Sequence, residues 1–147
     1  MHYLYTAFFE SNQFGYPIIR PLWYEFPTDT NTFGISTQFM WGDSILVAPK
    51  LGAPAALSIA MNGIYNLSVY LPPSVDWYYY YNKAVIGTKS SSAQIIIIGD
   101  DQFGTFVKAG SILPILNYEQ GRMSILEAIE DDIRLEIFPM VSSTLLS

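Results

Sequence analysis

Over residues 2–12, Tyr3, Leu4, Ala7 and Phe8 recur at spacings of three and four, with Tyr5, Thr6 and Glu10 between them. That is the pattern of a helix with one apolar face. Phe14-Gly15 predicts its C-terminal stop, and Pro17 closes the exit. No Ser, Thr, Asp or Asn stands before the first turn, so the helix begins without an N-cap. Residues 18–26 predict a strand, apolar on both sides near its start as a covered parallel strand is. Pro21 inside it belongs at the strand's end or at a bulge, because proline cannot donate to a ladder. Residues 27–31 predict a turn in which Asp29 bonds the backbone two residues on. Residues 33–42 predict a short helix or irregular connector with Ser36 as N-cap.

From Ser44 onward the texture changes. Short apolar runs at 45–47, 55–60, 65–71, 77–81, 94–98, 105–108 and 112–115 read as strands, separated by turn residues such as those of 49–54 and Pro72-Pro73. Asn62-Gly63 between two such runs is a two-residue hairpin signal. Short strands with turn signals every ~8–12 residues argue for a β-sandwich. The change near Asp43 is the expected domain boundary. Residues 124–130 read as helical, and 134–138 alternate Arg, Leu, Glu, Ile, Phe like a strand with one wet face. Residues from 139 onward carry little pattern and are expected to fray. No internal repeat is present.

Composition narrows the classes. The chain has 147 residues, enough for one ordinary domain and a real core; half are hydrophobic and 14% charged, which excludes disorder. Aromatic residues reach 16%, with eleven tyrosines, an enrichment that suits strands and, less generally, sugar-stacking surfaces. Net charge is −6, and the seven basic residues are scattered, so no footprint for a phosphate backbone exists. Cysteine is absent, which removes disulfides, thiolate catalysis and cysteine-bound zinc together without fixing a compartment. The first residues lack the basic end and apolar run of a signal peptide, and no window of ~18 apolar residues predicts a membrane span.

Candidate chemistry is sparse. Asp100-Asp101 and Asp131-Asp132 are the conspicuous carboxylate pairs, but neighbours on a strand point to opposite faces. A retaining glycosidase needs two carboxyls about 5–5.5 Å apart on one site. Both pairs therefore read as loop residues. Asp43 after Gly42 reads as a substrate contact or, preferably, a structural hydrogen-bonding group. Arg20 reads as a buried cation paired with Glu25 or Asp43. His2 is the sole histidine, so neither a Ser-His-Asp triad nor a multi-histidine metal site has its parts. Trp77 with Tyr78, Tyr79, Tyr80 and Tyr81 reads as strand packing before sugar stacking. Asn66-Leu67-Ser68 is a glycosylation sequon, weakened by its place inside a strand-like run.

The strings themselves say more than the periodicity. Pro17, Arg20, Pro21, Leu22, Glu25, Phe26 and Pro27, followed by Gln38, Phe39, Met40, Gly42, Asp43, Leu46, Val47, Ala48 and Pro49, resemble a P-x-x-R-P-L-x-x-E-F-P and Q-F-M-x-G-D-x-[IL]-L-V-[AS]-P pair. That pair is found in family 31 glycoside hydrolases, the α-glucosidase family. His2 to Thr6 is similar to the family's P-Y-L-Y-T, Val69 to Pro72 to its V-Y-L-P, and Trp77, Tyr78 and Tyr80 to its W-Y-D-Y. Residues 106–114 resemble F-V-R-G-G-S-I-[LI]-P, departing at Lys108 and Ala109. The likeness runs over roughly residues 2–116.

The resemblance implies a mainly β fold: a β-sandwich preceded by the last helix and strand of an incomplete (β/α)8 barrel. It divides the chain into 1–43, a barrel remnant; 44–118, the sandwich; and 119–147, the start of a second β-domain. It implies an α-glucoside or oligosaccharide as substrate of the parent enzyme and the missing barrel as this chain's partner. The family's catalytic aspartates sit in segments, one of the form W-x-D-M-N-E, that have no match here. No catalytic, cofactor-binding or metal residue is therefore assigned, and the chain alone is expected to be inactive. A stand-alone carbohydrate-binding sandwich and a non-functional truncated product are the alternatives.

Overall fold

The computed structural model describes residues 2–51, 59–60, 64–86, 93–99, 102–116 and 132–140. Helix α1 spans His2–Phe14 and stops where expected, with Gly15 at φ 75° and its amide bonded to Ser11 O at 2.9 Å. Strand β1, Ile19–Pro21, follows and gives way at once to a single helical turn, α2, Leu22–Glu25. The strand expected over 18–26 is thus three residues long, and it is not parallel. Ile19, Arg20 and Pro21 pair antiparallel with Trp41, Met40 and Phe39 of β2, Phe39–Trp41. Pro21 ends the strand because its ring nitrogen cannot extend the ladder, while its fixed φ of −64° starts the helical turn.

Asp29 makes the expected turn, accepting from Asn31 N at 3.2 Å ahead of a 3-10 turn at Thr30–Thr32. Residues 39–41, expected within a helical or irregular connector, are strand, and Ser36 caps no helix. Phe39 and Trp41 lie on one side and Met40 on the other, a period of two that three consecutive apolar residues do not reveal in the sequence.

The remaining strands are β3 (Ile45–Ala48), β4 (Ile59–Ala60), β5 (Ile64–Tyr70), β6 (Trp77–Tyr79), β7 (Val85–Ile86), β8 (Ala93–Gly99), β9 (Gly104–Lys108), β10 (Ser111–Leu116) and β11 (Ile133–Phe138). They form a six-stranded sheet in the order β1-β2-β3-β9-β6-β7, a three-stranded sheet β4-β5-β8 and a two-stranded sheet β10-β11. Among the described residues all pairings are antiparallel. The expected hairpin exists as the β4-β5 pair, with Ala60 opposite Ile64; Asn62-Gly63 itself lies outside the described residues, as does the helix expected over 124–130.

The six-stranded sheet is the middle layer. Met40, Leu46, Phe106 and Tyr79 stand in one row across four strands and pack with Trp77 against Leu67, Val69 and Ile98 of the three-stranded sheet. On the opposite face Ile45, Val107, Tyr78 and Tyr80 meet Tyr3 of α1, Leu113 of β10 and Phe138 of β11. Each layer of apolar burial removes area at roughly 25 cal/mol per Å², so a strand that feeds both faces is doubly anchored.

Strand β11 turns its faces opposite to the hydrophobic expectation. Ile133, Leu135 and Ile137 are exposed, whereas Phe138 is buried and Glu136 half-buried. The register sets Phe138 opposite Ser111, inside the Tyr78-Val107-Leu113 cluster. A period of two then commits Glu136 to the same side, where Lys83 pairs with it at 2.6 Å and Arg134 at 2.9 Å.

Candidate functional site

Of the polar residues singled out by sequence, Asp43 and Arg20 lie near the point where α1 meets the six-stranded sheet. Tyr3, in the first turn of α1, donates its hydroxyl to Trp41 O at 2.6 Å and accepts from Ser44 N at 3.4 Å. The chain permits this approach because Gly42 follows β2 with φ 61°, and a Cβ there would overlap the Tyr3 hydroxyl. Burial, reinforced by the nearby Asp43 charge, pushes the Tyr3 phenol up to about 12, with the Ser44 hydrogen bond pulling the other way.

Asp43 is itself exposed and accepts from Ser44 Oγ at 2.6 Å. Arg20 is buried and forms its ion pair with Glu25, not with Asp43. Its Nε donates to Pro17 O at 2.6 Å, and its guanidinium lies 5.6 Å from the ring centroids of both Tyr16 and Tyr24. Burial works against the Arg20 charge, but Glu25 and then Asp43 outweigh it and hold the guanidinium's pKa above its usual value. A buried ion must have such partners, and here every donor direction that is accounted for points at protein.

Beside this junction lies a cleft of about 500 Å³, to which Glu10, Asp43 and Lys108 contribute charge and Tyr3, Ser44 and Ser111 contribute hydroxyls. Glu10 and Lys108 were not singled out by sequence; only the docking of α1 against β10 brings them together with Asp43. On the same face of the sheet, and sharing Tyr3 and Pro114 with the cleft, an apolar groove of about 580 Å³ runs between α1, Phe39, Trp41, Val47 and Leu113.

The tyrosine run forms no common platform. Trp77 is fully buried with its indole N–H on Pro72 O at 3.0 Å, and Tyr79 packs beside Phe106 within the sandwich. Tyr78 points the other way, edge-on to Phe138 with its hydroxyl on Pro139 O at 2.9 Å. Tyr80 carries the Lys83 ammonium 3.9 Å above its ring, and Tyr81 is exposed. His2 lies at the start of α1, with no hydrogen-bond partner for its buried Nε2 among the described residues. Asp100, Asp101 and Asp131 lie outside the described residues, and Asp132 is exposed. Among the described residues no group of three His, Asp or Glu is arranged to hold a metal, and no helix is long and apolar enough to cross a membrane.

The residues that the family strings single out instead hold one another. Gln38, buried, donates from Nε2 to Tyr70 O at 2.9 Å and accepts from Tyr70 N at 2.8 Å through Oε1. Its amide thus completes a ladder rung for the end of β5. The Tyr70 hydroxyl donates to Asp29 Oδ2 at 2.7 Å, fastening the 27–33 turn to the same strand, and Phe26 packs against Trp77 with ring centroids 6.0 Å apart.

The sequence strings therefore describe one packed unit, and comparison with known proteins identifies it. The glycosyl hydrolase family 31 C-terminal domain matches residues 15–113. This chain belongs to glycoside hydrolase family 31. It is 36% identical over 113 residues, 76% of its length, to a probable glucan 1,3-alpha-glucosidase of Arabidopsis thaliana, and covers 11% of that protein. Over 144 residues, 98% of the chain, it is 29% identical to a probable alpha/beta-glucosidase of Aspergillus flavus. A family 31 dextranase of Flavobacterium johnsoniae, solved with glucose, superposes on 95% of the chain with a TM-score of 0.67 and 28% identity. The chain spans only 15% of the Aspergillus protein and 15% of the dextranase. It is a segment homologous to the C-terminal domain of family 31 glucosidases.

Proposed function

We propose that this chain is the β-rich C-terminal support of an α-glucosidase-like retaining hydrolase whose chemistry resides in residues outside the 147 present here. The observation that carries this reading is the fate of the family strings: Arg20, Gln38, Tyr70 and Trp77 are spent on hydrogen bonds and packing within the unit. They leave no side chain of their own free to attack or protonate a glycoside. The parent reaction on this reading is acid/base-assisted hydrolysis of an α-linked glucoside through a covalent glycosyl intermediate, with both carboxylates upstream.

The domain division follows the sheet. Because β1 and β2 pair into the six-stranded sheet and the family match begins at residue 15, we place the start of the β unit near Gly15 and not at 43, leaving α1 alone as the piece that belongs with the barrel. Tyr5, Phe8, Phe9 and Phe14 of α1, with Ile19 and Trp23, are exposed and offer the apolar surface that such a barrel would cover. A stand-alone sugar-binding module is the weaker reading, since Trp77 and Tyr79 are buried.

The test is catalytic. The purified chain, incubated with maltose and with a chromogenic α-glucoside, is expected to release no product above a buffer blank. Measurable turnover would sink the reading and direct attention to Glu10 and Asp43, the two carboxylates sharing the cleft.

A further inference from the structure

The sequon Asn66-Leu67-Ser68 is weak as a string because it falls inside a strand, and strands bury half their side chains. The structure resolves which half. Leu67 and Val69 of β5 are buried against the six-stranded sheet, while Asn66 and Ser68 are exposed on the outer face. Asn66 stands directly opposite Ile97 of β8, and Ser68 opposite Ile95. Directly opposed residues of an antiparallel pair share a face, with Cβ atoms about 4.5–5.5 Å apart. Both isoleucines are open to solvent, Ile95 at 72% and Ile97 at 64% of their full exposure. The outer face of this sheet therefore alternates a glycan-acceptor pair with an uncovered apolar pair. Among the six asparagines of the chain, only Asn66 is followed two places on by Ser or Thr.

We propose that Asn66 is an N-glycosylation site and that the attached glycan shields Ile95 and Ile97. The donor class is a lipid-linked oligosaccharyl diphosphate. The Asn66 amide nitrogen bonds to the anomeric carbon as the bond from that carbon to the diphosphate oxygen breaks; the lipid diphosphate leaves with the electron pair, and the amide gives up one proton. The saccharide is bulky and solvated, and its first residues lie over the side chains flanking Asn66. Covering two isoleucines in this way removes an apolar strip from a sheet face that otherwise invites association. Neither the hydrolase reading nor its failure affects this assignment.

The test uses the full chain produced in a eukaryotic host behind a cleavable secretion signal. The secreted protein is expected to run as a heavier species, to collapse to a lighter band with peptide N-glycanase, and to show an aspartate at position 66 by mass spectrometry afterwards. Asn66→Gln and Ser68→Ala are each expected to abolish the heavier species, and Ser68→Thr to retain it. A secreted chain without glycan, or a shift that persists in Asn66→Gln, would overturn the acceptor assignment. Shielding is read by an apolar fluorescent dye: enzymatic deglycosylation is expected to raise binding severalfold, and an Ile95→Thr/Ile97→Thr chain is expected to lose that rise. Equal dye binding before and after deglycosylation would overturn the shielding.

Discussion

Tyr3 shows how much a single side chain decides at this junction. Its hydroxyl serves Trp41 O and Ser44 N together, so one atom ties α1 to the end of β2. Removing it in Tyr3→Phe is expected to cost about 1 kcal/mol at neutral pH, the net worth of a hydrogen bond, read from a urea midpoint. The alkaline behaviour is a separate signature. The phenol titrates near 10 in an unfolded chain and at about 12 in the fold, so the unfolded chain releases its proton first. The stability that Tyr3 contributes is complete below pH 10 and drains away as pH climbs toward 12. Tyr3→Phe lacks this titration, and its stability should fall less across that window; an unchanged slope would refute the assignment. Gln38 is the second such residue. Gln38→Ala strands the Tyr70 amide and carbonyl in the interior, at about 1–3 kcal/mol for each unsatisfied group, while Gln38→Glu keeps an acceptor for the amide but sets a buried, unpaired carboxylate against the Tyr70 carbonyl. Both variants are expected to melt below wild type in thermal denaturation, and an unchanged midpoint in either would refute the role of the Gln38 amide.

At the scale of elements, two local conflicts were settled by pairing. Residues 22–25 look like strand by composition, yet Pro21 stops the ladder and Arg20 turns back to meet Glu25 across the single helical turn. Breaking that pair one-sidedly leaves a charge with little solvent: Arg20→Met is expected to destabilise by about 3–5 kcal/mol, and Arg20→Met/Glu25→Leu to recover much of the loss. A double-mutant cycle by chemical denaturation measures it, and additive losses would refute the coupling. The turn after β2 is equally specific. Gly42→Ala introduces both an unfavourable φ and an overlap with Tyr3, so it should undock α1, seen as faster amide exchange along the helix. Strand β11 could be recognised from its alternation, but not which face would be wet, because alternation is symmetric under a one-residue slip and Phe138 alone fixes the choice.

For the whole molecule, the six-stranded sheet carries the energetics, since it is covered on both faces. Trp77 fills the centre of the inner core, and Trp77→Ala is expected to cost about 3–5 kcal/mol or to prevent folding outright; retention of the wild-type thermal midpoint would show that the sandwich is not packed around it. What the sequence determined by itself was the strand-rich texture, the end of α1, the Asp29 turn and membership of family 31, because these rest on short-range periodicity, turn chemistry and strings of adjacent residues. Tertiary structure alone decided that β1 and β2 join the sandwich sheet, that Trp77 and Tyr79 face inward, that Glu10 and Lys108 meet Asp43, and that Asn66 faces solvent. Each of these depends on register and on contacts between residues tens of positions apart, and one residue's slip in register exchanges the two faces of a strand without changing a letter of the sequence.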